Sequence, residues 1–341
     1  MRRRALRTPV DGVLVLDKPL GLSSNTAMMA ARRLLDAPKA GHGGTLDPLA
    51  TGVLPLLFGE ATKFAADLLE ADKTYEAVLR LGIVTTTGDA EGEPVAERPV
   101  DVDAAAVAAT CGRFSGWIEQ VPPMHSALKR DGRPLYEYAR EGVVVDRAPR
   151  RVRIDSIEVL AFEPPLLTVS VRCSKGTYVR TLAEDIGAAL GCGAHLAALR
   201  RTAAGPVSLD QAVALDALTA MTPGDRTGML LPIDALLQTL PRVDLERGDA
   251  DRLRQGQRVV LARGAARFAP TMPAMRTRVR VYRDERLLGV ADFDPPGLLS
   301  PQRLVAQRDP IPDAFGAAPA APAGSATSAV QVAAQVAAPI A

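Results

Sequence analysis

The chain lacks most of the features that identify secreted and membrane proteins. Its three cysteines, Cys111, Cys173 and Cys192, are odd in number and far apart, so they predict neither a disulfide framework nor a metal-ligand pair. No segment approaches the about eighteen continuous apolar residues that a membrane helix needs. The basic start MRRRALRTPVDG has no apolar core before Asp11, which is not the pattern of a signal peptide. We therefore expect a cytoplasmic protein without membrane contact.

Net charge and histidine pairs are also scarce. Lys and Arg number 41 against 39 Asp and Glu, which gives a net charge of only +2. This average does not indicate a nucleic-acid binder, although a local basic face can still attract phosphate. The three histidines, His42, His125 and His195, have no second ligand at metal-binding spacing, so we expect no zinc site.

The first two thirds of the chain mix short apolar strands with amphipathic helices. GVLVLDKP (12–19) predicts a strand, and SSNTAMMAARRLLDA (23–37) predicts a helix that begins with capping residues. EATKFAADLLEAD (60–72) predicts a second helix, and KTYEAVLRLGIVTTTGD (73–89) predicts a strand. Because the elements do not alternate as regular βαβ units, they predict an α+β domain with a mixed or antiparallel sheet over 11–238.

Two segments at the ends differ in composition from this domain. Residues 1–10 form a basic arm, which is either solvated or in contact with phosphate. Residues 309–341 are rich in Ala and Pro and almost uncharged, which predicts disorder.

Two further segments suggest surfaces for a partner. The segment 120–152 is polar, is interrupted by Gly and Pro, and carries the basic residues Lys129, Arg130 and Arg133. Residues 239–308 predict a short helix and several small strands, and thus a compact β-rich C-terminal domain. Within it YRDERLLGV predicts a hairpin, although its turn lacks the favoured Asn-Gly pair.

The stretch GHGGTLDPLATGVLPL (41–56) surrounds a single acid, Asp47, with glycine and proline. It is a weak match to a phosphate-binding loop, because it has neither Gly-Lys-Ser/Thr nor G-x-G-x-x-G. Asp47 either orders a turn before Pro48 or is held stiffly there to act on a ligand that the glycines admit. For His42 the residues favour a role in the turn or in ligand packing over a role as a base.

Two other residues have both a structural and a functional interpretation. Arg180, in CSKGTYVRTLAEDIG (173–187), is either solvated or a fixed cation for a carboxylate or phosphate. Tyr75 is either a core strand residue or a platform on which a base stacks, and the residues alone favour the core.

Taken together, these blocks resemble the bacterial tRNA pseudouridine-55 synthases of the TruB type. The matching segments occur in the family's order from about residue 11 to 208. They are GVLVLDKPLGLSSN, GHGGTLDPLATGVLPLLFGEATK, KTYEAVLRLGIVTTTGDAEG, QVPPMHSALKRDGRPLYEYAREG, and CSKGTYVRTLAEDIG with GCGAHLAALRR. One departure is His125, which stands where a tyrosine is common in the family.

The resemblance implies a fold, a reaction and a partner. It implies a pseudouridine-synthase catalytic domain followed by a PUA-like RNA-binding domain. It also implies that uridine 55 in the T-loop of tRNA is isomerised without metal or organic cofactor, by a monomer with no obligatory protein partner. The alternatives are an RNA-binding or tRNA-folding chaperone with incidental catalysis, and a synthase that acts on another RNA.

The resemblance also implies roles for individual residues. Asp47 matches the catalytic aspartate, Tyr75 the aromatic residue that stacks on the target base, and Arg180 the basic partner that keeps the aspartate ionised. The further substrate-binding residues are His42, Tyr178, Leu199 and Lys18, and the RNA-backbone contacts are Lys129, Arg130 and Arg133. A single acid suffices for this reaction, because a carboxylate that attacks covalently or removes a proton needs no second acid and no water.

Overall fold

The computed structural model describes residues 10–261, 266–269, 274–295 and 297–306. Of the predicted basic arm only Val10 is included, and the predicted tail 309–341 lies outside the described residues. Within this part of the chain, no helix combines the length and the apolar character needed to cross a bilayer.

The described elements are twenty strands, eight α-helices and three short 3-10 helices. The strands are β1 Gly12–Lys18, β2 Ala40–His42, β3 Ala50–Phe58, β4 Lys73–Leu81, β5 Ile83–Thr85, β6 Pro94–Glu97, β7 Gly116–Gln120, β8 Lys129–Arg130, β9 Arg133–Pro134, β10 Arg150–Glu163, β11 Leu166–Cys173, β12 Ala194–Ala204, β13 Val207–Ser208, β14 Val213–Ala214, β15 Arg242–Leu245, β16 Val259–Val260, β17 Ala266–Ala269, β18 Thr277–Arg283, β19 Arg286–Asp294 and β20 Leu298–Leu304. The α-helices are α1 Ser24–Leu34, α2 Ala65–Glu70, α3 Ala104–Arg113, α4 Leu135–Arg140, α5 Val179–Ala189, α6 Leu215–Ala220, α7 Pro223–Gly228 and α8 Arg247–Arg254. The 3-10 helices are Gly59–Phe64, Leu209–Gln211 and Ile233–Leu237.

A ten-stranded mixed sheet dominates the first part of the chain. Its order is β14-β1-β3-β12-β4-β11-β10-β7, with β2 beside β3 and β13 beside β12. The β1–β14 and β3–β12 pairs are parallel and the others antiparallel. The predicted α+β class with a mixed sheet is therefore confirmed.

Two apolar clusters lie on one face of this sheet. Helices α3 and α5 cover the β4, β10 and β11 half, whereas α1 covers the β1 and β3 half. Alternate residues of β1 and β3 face a third cluster on the opposite side, so the run 50–58 is buried on both faces. Tyr75 and Leu199 contact both of the first two clusters and therefore lie where these clusters meet.

A separate six-stranded sheet forms the β-rich C-terminal part, in the order β16-β20-β19-β18-β15-β17. The predicted hairpin is the β18–β19 pair, and its turn residues Asp284 and Glu285 have φ of 48° and 60°. Positive φ at both central residues is what a tight two-residue hairpin requires. The register of the hairpin therefore imposes this turn on residues that do not favour it.

The helix predicted over 60–72 differs in detail. It begins as the 3-10 helix Gly59–Phe64 and continues as α2, with Phe64 at φ −106° and ψ 15° between the two parts. Phe64 is completely buried and packs with Leu237 and with Val290 of the C-terminal sheet. This packing between the two sheets, which the local sequence does not reveal, favours the break.

Candidate active site

The loop between β2 and β3 carries Asp47 and is held through its backbone. The Ser24 hydroxyl accepts a hydrogen bond from the Leu46 N–H at 2.7 Å and donates one to the Leu46 carbonyl at 2.9 Å. The Gly21 N–H donates to the Pro48 carbonyl at 2.9 Å. These anchors use none of the Asp47 side-chain atoms, and 46% of that side chain is exposed. We call the open surface at Asp47 the cleft.

Lys18 supports the same loop from beneath. The residue is completely buried, and its ammonium donates to the carbonyls of Pro19 at 2.9 Å, Leu22 at 2.6 Å and Pro48 at 3.5 Å. Burial lowers the pKa of this ammonium to about 8, with a smaller lowering from nearby Arg201 and an opposing effect from Asp47. The lysine thus joins the loop, at Pro48, to residues 19–22 from the interior.

Arg180, near the start of α5, joins two carboxylates. Its Nη2 lies 3.1 Å from Asp47 Oδ2, and its Nη1 lies 3.1 Å from Asp89 Oδ2. The guanidinium also donates to the His125 carbonyl. Only 8% of the Arg180 side chain is exposed, so the cation is fixed in place rather than solvated.

Asp89 is the site residue that sequence reasoning missed. Its side chain is 3% exposed, and besides Arg180 it accepts hydrogen bonds from the Thr87 hydroxyl and, at 3.1 Å, from the Glu91 N–H. The sequence feature that could have indicated Asp89 is TTTGDAEG. In the structure Asp89 lies in a turn between two glycines after β5 and not at the end of a strand. Sequence alone could not reveal its partner 91 positions away.

We expect Asp89→Asn to lower the turnover number about tenfold or more without changing KM, because a misplacement of about 1 Å at the reacting groups can cost about a hundredfold in rate. The amide keeps the shape of the carboxylate but removes the charge that holds Nη1 of Arg180. Steady-state kinetics would check this, with Asp155→Asn as the control, since Asp155 pairs with Arg153 elsewhere on the sheet. A turnover number equal to that of the wild type would contradict the positioning role of Asp89.

Tyr75 and Leu199 form an apolar floor next to the acid. On β4, Tyr75 is paired with Arg201 of β12 and with Val171 of β11. Leu199 is paired with Ala50, three residues after Asp47. Burial is the main cause that raises the pKa of the Tyr75 hydroxyl, which keeps the ring neutral. The ring packs against both apolar clusters while remaining partly exposed, so it combines features of the core residue and of the platform.

His42 and Tyr178 lie at the edges of this group. His42 ends β2, and its Nδ1 is buried without a hydrogen-bond partner. Burial, followed by the charge of Arg201, lowers the pKa of His42, so the ring is neutral at physiological pH. The Tyr178 backbone exchanges hydrogen bonds of 3.0 and 3.2 Å with the Gln120 side chain, which fixes the start of α5 against β7.

Three family models match consecutive parts of the chain. Models described as "TruB family pseudouridylate synthase (N terminal domain)", "tRNA pseudouridylate synthase B C-terminal domain" and "Pseudouridine synthase II TruB, C-terminal" match residues 32–179, 180–238 and 241–305. The tRNA pseudouridine synthase B of Burkholderia mallei (strain ATCC 23344) is 60% identical over 305 residues, which cover 89% of this chain and 97% of that protein.

The chain belongs to the TruB family.

Two further proteins extend this comparison. The TruB relative of Ralstonia nicotianae, also named tRNA pseudouridine synthase B, is 59% identical over 88% of this chain and 95% of its own length. A chain in the crystal structure of the archaeal box H/ACA sRNP Nop10-Cbf5 complex matches with a TM-score of 0.68 at 24% identity, and 88% of each chain is covered. At this identity the second match supports the pseudouridine-synthase fold of the TruB chain and nothing further.

The three basic residues predicted to contact the RNA backbone lie on β8 and β9 in the TruB chain. Arg130 donates to the Asp146 carbonyl at 2.6 Å. Arg133 is paired with Glu137 at 2.9 Å and with Glu141. Lys129, on the exposed strand β8, precedes them. The polar contacts of the two arginines thus remain within the segment 120–152, and their role toward RNA stays a prediction.

The TruB site has a carboxylate, a fixed cation and an apolar floor, but no cluster of metal ligands. Among the described residues, no group of three or more His, Cys, Asp and Glu side chains is arranged to hold a metal ion. Asp89 is buried and engaged with Arg180, so Asp47 is the carboxylate of this pair that a ligand in the cleft can reach. Such a site can perform nucleophilic or base catalysis on a flat, apolar-faced group.

The pKa of Lys18 predicts how turnover by the TruB chain depends on pH. Below about pH 8 the ammonium is charged and donates to three carbonyls, whereas above it the neutral amine presents a lone pair toward one of them. We therefore expect the turnover number to fall as pH rises through about 8. Single-turnover rates between about pH 6 and 10 would check this. A profile that stays flat across that range would show that the loop does not depend on the charged form.

Proposed function

We propose that this TruB protein is a tRNA pseudouridine synthase that isomerises uridine 55 in the T-loop. The observation that carries the proposal is the Asp47 carboxylate, fixed 3.1 Å from Arg180 on a loop whose other anchors are backbone contacts. Relatives that are about 60% identical over nearly their full length are named tRNA pseudouridine synthase B, which supports tRNA as the substrate.

The proposed reaction needs one ionised carboxylate and no oxidant. The N1–C1′ bond of uridine breaks, the base turns, and a C5–C1′ bond forms. The proton lost from C5 is balanced by one gained at N1. Asp47 acts as the nucleophile or as the base that removes a proton, and in both cases its charge must be free on the side of the substrate. Arg180 stabilises that charge from the protein side and leaves the opposite face open.

The target base must leave the helical stack before Asp47 can reach its sugar. Tyr75 supplies an aromatic face for the extruded base, and Leu199 supplies an apolar wall beside it. His42, which is neutral and partly exposed, can contact the extruded nucleotide without adding charge. Tyr178 and Lys18 hold the walls of this pocket through the backbone contacts described above.

The remaining RNA contacts are proposed for two other parts of the chain. The domain limits are 11–238 for catalysis and 239–308 for a PUA-like RNA-binding domain. Within the first, the segment 120–152 contacts phosphates of the T-arm through Lys129, Arg130 and Arg133. Affinity for tRNA should then fall as salt rises. We further propose that the protein works in the cytoplasm as a monomer.

The test is to incubate an unmodified tRNA transcript with the protein and to map pseudouridine by carbodiimide-dependent primer extension. A stop at the T-loop uridine is expected, and none is expected with a transcript that carries cytidine there. Modification of a ribosomal RNA fragment but not of the tRNA would point to a different RNA substrate. Tight binding and refolding of tRNA without any stop would favour a chaperone.

A further inference from the structure

Arg201 on β12 is a buried cation whose position the proposed chemistry has not yet explained. Only 1% of the residue is exposed, and it is among the largest completely buried side chains. Its neighbour Arg200 forms an ion pair with Asp17 at 2.8 Å. Among the described residues, no carboxylate lies within ion-pair distance of Arg201. A buried guanidinium without a counter-ion is costly, and an apolar side chain of similar size would fill the same space more cheaply.

Two hydrogen bonds of Arg201 end on backbone that frames the site, in addition to one with the Tyr75 side chain. Its Nε donates to the Val53 carbonyl at 2.7 Å, and its Nη2 donates to the Gly44 carbonyl at 3.3 Å. Gly44 is the second residue of the loop 43–49 that carries Asp47, and Val53 lies in β3, which follows that loop. The planar guanidinium thus bonds to both the loop and β3. A lysine ammonium could not bond to the same two carbonyls with this geometry.

The same guanidinium lies beside the hydroxyl of Tyr75, its partner across the β4–β12 pair. The aromatic floor and the loop that carries Asp47 therefore have a common neighbour in Arg201. Arg180 holds the carboxylate of Asp47 from one side, and Arg201 holds the start of the loop from the other.

Two glycines with positive φ lie beside Arg201. Gly52 has φ +97°, and a Cβ on it would lie 2.2 Å from the Arg201 carbonyl oxygen. Gly44 has φ +110°, and a Cβ there would lie 3.6 Å from Arg201 Nη1. Two glycines of the stretch 41–56 thus adopt left-handed conformations in direct proximity to this arginine.

We propose that Arg201 is a positioning residue that holds the Asp47 loop and the Tyr75 ring in one fixed relation, so that both face the same uridine. This inference rests on the proposed function for its substrate. It goes beyond that function because it assigns a task to a residue that substrate does not touch. Arg201 acts through the Gly44 carbonyl and Tyr75, and it makes no contact with solvent.

The test compares Arg201→Lys and Arg201→Met with the matched control Arg200→Met. Arg201→Lys keeps the buried charge but loses the guanidinium that donates hydrogen bonds to both carbonyls. We expect its turnover number to fall about tenfold or more with KM for tRNA changed less than about threefold, because small misplacements act on the chemical step. Arg200→Met also removes a largely buried arginine, and we expect it to keep its turnover number. If Arg201→Met does not fold, the turnover number and KM of Arg201→Lys alone test the inference.

Hydrogen exchange measured without RNA separates this inference from the proposed function. Amides of residues 43–49 should exchange faster in Arg201→Lys than in the wild type or in Arg200→Met, while amides of the C-terminal sheet remain unchanged. A folded Arg201→Lys variant with wild-type turnover and wild-type exchange in 43–49 would overturn the inference. If the wild type formed no pseudouridine at all, the proposed function would fail, and the exchange result would still show whether Arg201 holds the loop.

Discussion

Replacing Asp47 by asparagine is expected to abolish turnover while tRNA affinity stays within about tenfold, a difference of about 1.4 kcal/mol. Asparagine has nearly the same shape, and the loop is anchored through Ser24 and Gly21 rather than through the Asp47 side chain. The change therefore removes the nucleophile or base without rebuilding the pocket. Single-turnover pseudouridine formation on an unmodified transcript measures the first effect, and filter binding measures the second.

The matched control is Asp17→Asn, which also removes an aspartate that is paired with an arginine. Asp17 lies on β1 and its partner Arg200 on β12 of the ten-stranded sheet. This control should retain turnover, since Asp17 is paired with Arg200 rather than with Arg180. An Asp47→Asn protein that works at the wild-type rate would remove Asp47 from its proposed role. Loss of turnover accompanied by loss of binding would instead indicate that the loop itself had collapsed.

Replacing Arg180 by alanine is expected to lower the turnover number about a hundredfold or more, the scale on which preorganised charges act. The variant removes the only cation bonded to both Asp47 and Asp89 among the described residues. Because Asp89 is 3% exposed, its charge would be left buried and uncompensated, which typically costs about 3–5 kcal/mol of stability. Thermal unfolding and single-turnover kinetics would be measured on the same preparation.

A second variant separates chemistry from stability at this position. Arg180→Met combined with Asp89→Asn removes the buried charge together with its partner. This double variant should recover most of the lost stability but not the turnover. Recovery of turnover as well would discredit the ion pair with Asp47 as a catalytic requirement. Arg153→Ala, which breaks a more exposed pair with Asp72, is the control for loss of a surface arginine.

Local sequence was sufficient for the elements whose signals are local. The Ser23 hydroxyl caps α1, and the apolar run 12–18 forms β1. The family resemblance, rather than periodicity, singled out Asp47, Tyr75 and Arg180 from chain positions up to 133 residues apart. The structure brings Asp47 and Arg180 into contact and places Tyr75 in the floor beneath the cleft.

The parts that escaped prediction depend on contacts between distant segments. Asp89 and Arg201 become significant only when β4, β12 and α5 are assembled, because nothing in their neighbouring residues names a partner. The break at Phe64 reflects packing against Val290, more than 200 positions away. The fold class needed only patterns of apolar residues, whereas these details needed the register of the sheet.

The seating of the C-terminal sheet has a mechanical consequence. Arg278 forms an ion pair with Asp67 at 2.6 Å, and the Lys63 ammonium donates to the Leu304 carbonyl at 2.8 Å. Both bonds end on 59–70, where Leu68 lies so close to Gly43 that a Cβ on the glycine would be 2.1 Å from it. The C-terminal sheet is therefore packed against residues 59–70 rather than joined to the rest of the chain by a linker alone. A force that a bound macromolecule exerts on the C-terminal sheet would be transmitted through residues 59–70 to the backbone near Asp47.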